Sequence, residues 1–186
     1  QASAVGFYGH KTSGLIFENC PQGDGFLATV VNELEKTFKQ HCPSEIKPVM
    51  LRLGVVLHRD GGLLKQILQT TPLKFIGCPG DGRQKLSWIA LDDLIQLFIH
   101  VIQNLPDSPV INALSPHPFS MEDFFEVASR KTNSWFVVKM PKFLLRLAFG
   151  VQKANELILA DQTIESKILK KISFKFDYPT VNDLRF

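Results

Sequence analysis

The stretch Val49-Met50-Leu51-Arg52-Leu53-Gly54-Val55-Val56-Leu57 constrains this chain most, being short, apolar almost throughout and rich in β-branched residues. Successive side chains of a strand point to opposite faces, so a strand with one wet face alternates polar and apolar residues. A run without alternation is a strand covered on both faces, the condition of a parallel sheet flanked by helices. The remaining pattern agrees. Phe26, Val30, Leu34 and Phe38 fall on one helical stripe with Leu27 and Val31 beside it, Asp24 stands where an N-cap belongs, and Pro43-Ser44 ends the run. Asp60-Gly61-Gly62 turns the chain into a short helix ending near Gln69, and Lys74–Gly77 reads as a strand. Asp92-Asp93 are expected to cap a helix with Leu94, Leu97, Phe98 and Val101 inward, and Pro109–Leu114 is a second buried strand. Ser120 with Asp123 makes a capping box, Trp135–Val138 a strand, and Pro141 opens a helix carrying Leu144, Leu145 and Leu147. The tail predicts a helix over about 161–172, an extended piece at Phe174–Phe176 and a short helix after Pro179. Strand and helix alternate, so the fold class is α/β.

Composition narrows the function classes. At 186 residues the chain is one domain or a little more, and 45% hydrophobic against 21% charged residues is globular. No run approaches the ~18 uninterrupted apolar residues of a membrane span, so no membrane partner is expected. The formal net charge of +3 is mild and scattered, which argues against a nucleic-acid partner. Cys20, Cys42 and Cys78 are odd in number and far apart, so neither a disulfide framework nor a thiolate zinc site is expected, and a reducing, cytoplasmic setting is. The five histidines (His10, His41, His58, His100, His117) do not pair with other ligand types at metal spacing, so no metal is expected and each reads as structural or surface. Gly77-Cys78-Pro79-Gly80-Asp81-Gly82 opens no helix and has no acidic residue at ribose distance, so it reads as a tight turn. These residues yield a fold class and no reaction.

Four segments taken in order do more. Ser3-Ala4-Val5-Gly6-Phe7-Tyr8-Gly9; Leu51–Leu57 with Asp60-Gly61-Gly62; Gly80-Asp81-Gly82-Arg83-Gln84 through Trp88-Ile89-Ala90-Leu91-Asp92-Asp93; and Asn112–Pro118 resemble, in sequence and spacing, the atypical extended short-chain dehydrogenase/reductases. The resemblance is to the epimerase-family branch sometimes labelled SulA-like, and it spans essentially the whole chain. It implies the C-terminal part of a Rossmann-type, doubly wound parallel sheet plus a small α/β substrate-binding subdomain. Residues 1–58 would be the last Rossmann strands and helix; residues 59–186 would be mainly the subdomain, with an interleaved strand and helix returning to the sheet. The family's glycine fingerprint is absent and the chain starts at Gln1, so an N-terminal cofactor half is expected to precede it. Without that half, exposed sheet surface is expected to drive self-association.

The resemblance also implies roles. Ser3 stands at the position of the hydroxyl residue that bonds the substrate oxygen beside the nicotinamide; as a residue it reads equally as a serine serving local backbone. Catalytic relatives carry Tyr-x-x-x-Lys on the next helix, and aligning that helix on Glu35 puts Leu27 and Val31 there, neither of which can titrate. Tyr8 is the nearest phenol and stands as the substitute. Gly54, Val55 and Val56 match the segment that crosses the nicotinamide end of NADP, Leu86 replaces the arginine that clamps the diphosphate of a nucleotide sugar, and Ala90 replaces a histidine. The implied function is the C-terminal portion of an NADP-dependent oxidoreductase or epimerase-like protein with a degenerate Tyr-x-x-x-Lys site, acting on an unknown small molecule. The alternative is a non-catalytic protein that senses or binds NADP on the same fold.

Overall fold

The structure is a computed structural model that describes residues 1–70, 74–134 and 136–185. Trp135, the first residue of one expected strand, lies outside them. β1 (Ala2–Ala4) runs through a 3-10 turn (Val5–Tyr8) into β2 (Lys11–Ile16), then α1 (Phe26–His41), β3 (Met50–Leu53), β4 (Val55–Leu57) and α2 (Gly62–Thr70). The middle of the chain is β5 (Phe75–Pro79), β6 (Lys85–Leu86), β7 (Trp88–Ala90), α3 (Leu91–Asn104), β8 (Val110–Ala113) and β9 (Phe119–Ser120). It closes with α4 (Met121–Thr132), β10 (Phe136–Met140), α5 (Lys142–Phe149), α6 (Val151–Lys153), a π-helical turn (Ala154–Ile158), β11 (Asp161–Ile164) and α7 (Lys167–Lys171).

The expected buried strand is two strands. β3 lies between β1 and β8 in a three-stranded sheet, parallel to both, whereas β4 pairs in parallel with β7. The break falls at Gly54, where a Cβ would stand 2.7 Å from the carbonyl oxygen of Ser87. Only glycine lets the two backbones approach that closely, so the chain can leave one sheet and enter another without a loop. β5 pairs with β10 and β2 with β11, both parallel, and β6 with β9 antiparallel.

Two main cores follow. One, around Leu51, Ile89, Leu97, Val101 and Ile111, lies between the three-stranded sheet and α3. The other gathers Leu57, Ile76, Trp88, Phe119, Phe124 and Phe125 from α2, α4 and the small sheets. Phe119 stacks on Phe124 at 5.0 Å, and Trp88 tilts against Phe119 at 5.4 Å, its indole N–H donating to the His117 carbonyl. A smaller cluster of Phe7, Tyr8, Ile16, Val31 and Ile164 lies beneath α1. Among the described residues no helix is long and apolar enough to cross a membrane.

Several local expectations are corrected. Asp24 does not cap α1; the N-cap is Gly25, and the carboxylate of the distant Glu156 accepts from Phe26 N at 3.3 Å and Leu27 N at 2.9 Å. Asp93 does not cap α3 either, since its carboxylate accepts from the backbone N–H groups of Asp177 and Tyr178 and pins the tail. The expected helix over 161–172 is a strand, β11, followed by the single turn of α7, because β2 offers a parallel partner. The residues after Pro179 form hydrogen-bonded turns instead of a helix. Ser120 and Asp123 form the full reciprocal capping box.

Candidate functional site

Ser3 and Tyr8 sit on opposite sides of one buried charge. Arg52, in the middle of β3 and 4% exposed, sends Nε to Glu35 Oε1 at 2.9 Å and Nη2 to Glu35 Oε2 at 2.8 Å. The Ser3 hydroxyl donates to the same Glu35 Oε1 at 2.6 Å. Arg52 Nη1 donates to the Tyr8 hydroxyl at 2.9 Å, and that hydroxyl donates to Asn112 Oδ1 at 2.8 Å. The guanidinium also lies 3.4 Å from the centroid of the Phe7 ring. The network continues outward: Asn112 Nδ2 donates to the Glu165 carbonyl, and Glu18 accepts from Asn112 N, from the Ser166 hydroxyl and from Lys167 N.

A buried arginine is tolerated only when its charge is paired and its donors are used, and every contact here serves that end. Burial by itself raises the Glu35 carboxyl, but the hydrogen bonds from Arg52 and Ser3 outweigh it and hold the group below its ordinary range. Burial pushes the Tyr8 phenol above its usual value despite Arg52, so it stays protonated at neutral pH. Ser3 points toward Glu35 of α1, while Ala4, one residue on at the end of β1, packs beside Val31 one turn earlier on the same helix.

What Ala4 faces is a cavity of about 250 Å³ at the carboxyl ends of β1 and β3. Its walls include Ala4, Val5, Leu53, Gly54, Val55 and Leu86, with Leu27 and Val31 of α1 on one side. Leu27 and Val31, the positions at which the family resemblance leads one to expect tyrosine and lysine, therefore line this cavity with apolar side chains. Of the other expected residues, Gly54 and Val55 line it, whereas Val56 packs in the sheet core and Ser3 and Tyr8 are absent from its wall. The titratable side chains in the wall are His10, Lys85 and Glu156. The Glu156 carboxyl is held below its ordinary range, first by the Leu27 N–H, against a smaller effect of burial. Among the described residues, no group of three or more His, Cys, Asp or Glu side chains could hold a metal ion.

Sequence reasoning passed over Arg52, Glu35 and Asn112 as a unit. The signal was partial: an arginine inside a strand covered on both faces demands a buried carboxylate, and Glu35 stands one helical turn after Val31 on the face of α1 that is buried. For His10 and Glu156 no such signal exists, since the two are 146 positions apart and meet only through the fold.

Comparison with known proteins fits this arrangement. Residues 140–184 match a domain of unknown function, DUF1731. The chain is 34% identical over 187 residues to the epimerase family protein SDR39U1 homolog, chloroplastic, of Arabidopsis thaliana, covering 98% of the chain and 52% of that protein. It is 32% identical over 189 residues to the epimerase family protein YfhF of Bacillus subtilis, covering 100% of the chain and 60% of that protein. The chain belongs to the epimerase family of atypical extended short-chain dehydrogenase/reductases. It spans between half and three-fifths of the length of these relatives. Among solved structures it superposes on the human epimerase family protein SDR39U1 with NADPH at a TM-score of 0.88, with 21% identity, covering 98% of the chain and 61% of that protein. A nucleoside-diphosphate sugar epimerase from Corynebacterium glutamicum gives a TM-score of 0.76 at 30% identity, covering 97% of the chain and 35% of that protein. The α/β fold with parallel sheets is the C-terminal portion of a Rossmann-type epimerase-family protein.

Proposed function

We propose that this chain is the C-terminal portion of an NADP-dependent oxidoreductase of the epimerase family, with the cavity at the ends of β1 and β3 as its reaction chamber. The observation that carries the reading is position. In doubly wound folds ligands bind outside the carboxyl ends of parallel strands, and this cavity opens there between two strands of the central sheet. The wall suits one end of a nicotinamide dinucleotide: Ala4, Val5, Leu27, Val31 and Val55 are small or apolar and leave room for a flat ring. Gly54 and Val55 would hold that ring from the β3 side. When bound, the dinucleotide supplies or accepts a hydride. The chain's own residues set the rest: α1 and Leu86 exclude water from one flank, and the Arg52–Glu35 network holds β1, β3 and α1 in register. A nucleotide-sugar substrate is disfavoured, because Leu86 cannot clamp a diphosphate.

A second reading, a non-catalytic NADP sensor, is favoured by one observation: Leu27 and Val31 leave the cavity without the tyrosine and lysine that move protons in catalytic relatives. Titrating NADPH into the intact protein and following its fluorescence tests the shared premise, and no binding up to roughly millimolar concentration (an affinity floor of about 4 kcal/mol) refutes both. Oxidation of NADPH with a panel of aldehydes and ketones then separates them. Turnover supports the oxidoreductase; binding without turnover supports the sensor.

A further inference from the structure

His10 is the proton-exchanging group left in the cavity. It follows the 3-10 turn after β1 and lines the cavity half-buried, beside Glu156. Its Nδ1 is closed off from water and finds no hydrogen-bond partner in the protein. Such a buried orphan is rare in native folds, since it costs its full desolvation, and one in a cavity wall calls for a functional account. Of the other two titratable groups, one is committed elsewhere and the other stands at the rim. Glu156 spends its carboxylate on the first two amides of α1, and Lys85 belongs to an exposed residue. Gly25 keeps this corner open: the point where its side chain would begin lies 3.4 Å from the Glu156 carboxylate and 3.5 Å from His10 Nδ1, at a backbone φ of +111°. The rest of the wall is apolar from Ala4 and Val5 through Leu27 and Val31 to Leu86, apart from Ser87 and Gln162, whose side-chain donors are spent on the backbone carbonyls of Gln162 and Gly9. The helix beside it is apolar outward too: α5 folds against the turn that carries Glu156, with Phe143 66% and Leu147 83% exposed.

We propose that the cavity takes an apolar aldehyde or ketone, or the corresponding alcohol, and that His10 exchanges the proton of its oxygen. This rests on the oxidoreductase reading above. A mainly apolar wall whose polar side chains are largely engaged within the protein recognises a molecule with one oxygen function on a hydrocarbon frame, and offers a sugar's several hydroxyls few partners. In the reducing direction a bound dinucleotide would supply the hydride that the carbonyl carbon takes up and would itself be oxidised. The C=O bond becomes a single bond, and its electron pair takes the proton of Nε2, the imidazolium nitrogen of His10 other than the closed Nδ1, and water then reprotonates Nε2. In the reverse direction neutral His10 accepts that proton. Histidine suits both, because an imidazole nitrogen can give a proton or take one.

The test uses acetophenone, cyclohexanone and octanal with the intact protein. Without cofactor, NMR of the histidine ring signals should show His10 shifting as acetophenone is added, while His41 and His100 stay fixed; this needs no variant and no turnover. With NADPH, His10→Ala should fold as wild type by circular dichroism yet lose about 100-fold or more in kcat, with KM little changed, and free imidazole should restore part of the rate. Wild-type rates in His10→Ala, or His10 signals unmoved by all three compounds, overturn the proposal. UDP-glucose displacing acetophenone from His10 overturns the substrate class. If NADPH binds and His10 shifts but no compound is reduced, the oxidoreductase reading falls and takes the proton role with it, leaving His10 as a ligand contact alone.

Discussion

Glu35→Gln should damage this protein more than any cavity-lining substitution. Glu35 is 3% exposed and Arg52 is 4% exposed, and the carboxylate receives two guanidinium bonds at 2.8 and 2.9 Å plus the Ser3 hydroxyl at 2.6 Å. The amide keeps the shape but removes the charge, stranding a guanidinium that neither solvent nor another carboxylate reaches. Breaking a buried pair from one side costs about 3–5 kcal/mol. For a chain of this length 1 kcal/mol shifts the melting midpoint by roughly 2–4 °C, so a fall of about 6–20 °C is expected. Urea unfolding of the two proteins gives the free-energy difference directly, and Ser3→Ala should lose less, about 1.5–3 kcal/mol, as a single bond to a charged group. The pH dependence follows the same logic. Glu35 is held below its ordinary value in the folded state, so its contribution is complete above the unfolded carboxyl value, about 4.3, and is lost as pH falls through the depressed one. The acid limb of stability should therefore lie below about pH 4 in the wild type and flatten in Glu35→Gln. A Glu35→Gln protein within about 1 kcal/mol of wild type would refute the claim that this network organises β1, β3 and α1.

Three further outcomes are expected. Cys78 is fully buried and its thiol is pushed up to about 11, first by that burial, so iodoacetamide at neutral pH should alkylate Cys20 and Cys42 and spare Cys78 until the protein unfolds, as read by peptide mass spectrometry. Glu156→Ala should cost about 1 kcal/mol through the lost cap on α1, measured by urea unfolding, and slow exchange of the Leu27 amide hydrogen should be lost with it. Among the described residues β1 has a strand partner on one side only, and Phe26, Val30 and Leu34 form an exposed stripe on α1 at 61%, 45% and 41%. We therefore expect this 186-residue chain to self-associate in sedimentation velocity, and Val30→Lys to reduce it; a monomer at every concentration would contradict this.

The sequence carried the parts of the fold whose causes are local. The doubly covered strand, the helix α1, the Ser120 box and the Gly80–Gly82 turn rest on periodicity or on short-range hydrogen bonds, and each is present. The strand nonetheless divides at Gly54, and α1 buries Ala28, Val31 and Glu35 while its predicted stripe of Phe26, Val30 and Leu34 faces outward. What it missed was decided at long range. Nothing near Gly25 announces that Glu156 will cap α1, and the strand at Asp161–Ile164 exists only because β2 pairs with it. The site divides in the same way. Leu27, Val31, Gly54 and Val55 were reachable through family resemblance, because they sit in segments of fixed spacing. Ser3 and Tyr8 were chosen for their hydroxyls; the fold aims Ser3 at the Glu35 carboxylate and Tyr8 at the Arg52 guanidinium, both members of one buried ion pair.

The most direct test of the whole account is methyl NMR of the intact protein saturated with NADPH. If the cavity at the ends of β1 and β3 receives the nicotinamide end, the methyl signals of Leu27, Val55 and Leu86 should shift and show magnetisation transfer from the ring protons. Val56, in the sheet core, should stay unmoved. NADPH bound at saturation with the Leu27, Val55 and Leu86 signals unchanged would contradict the account.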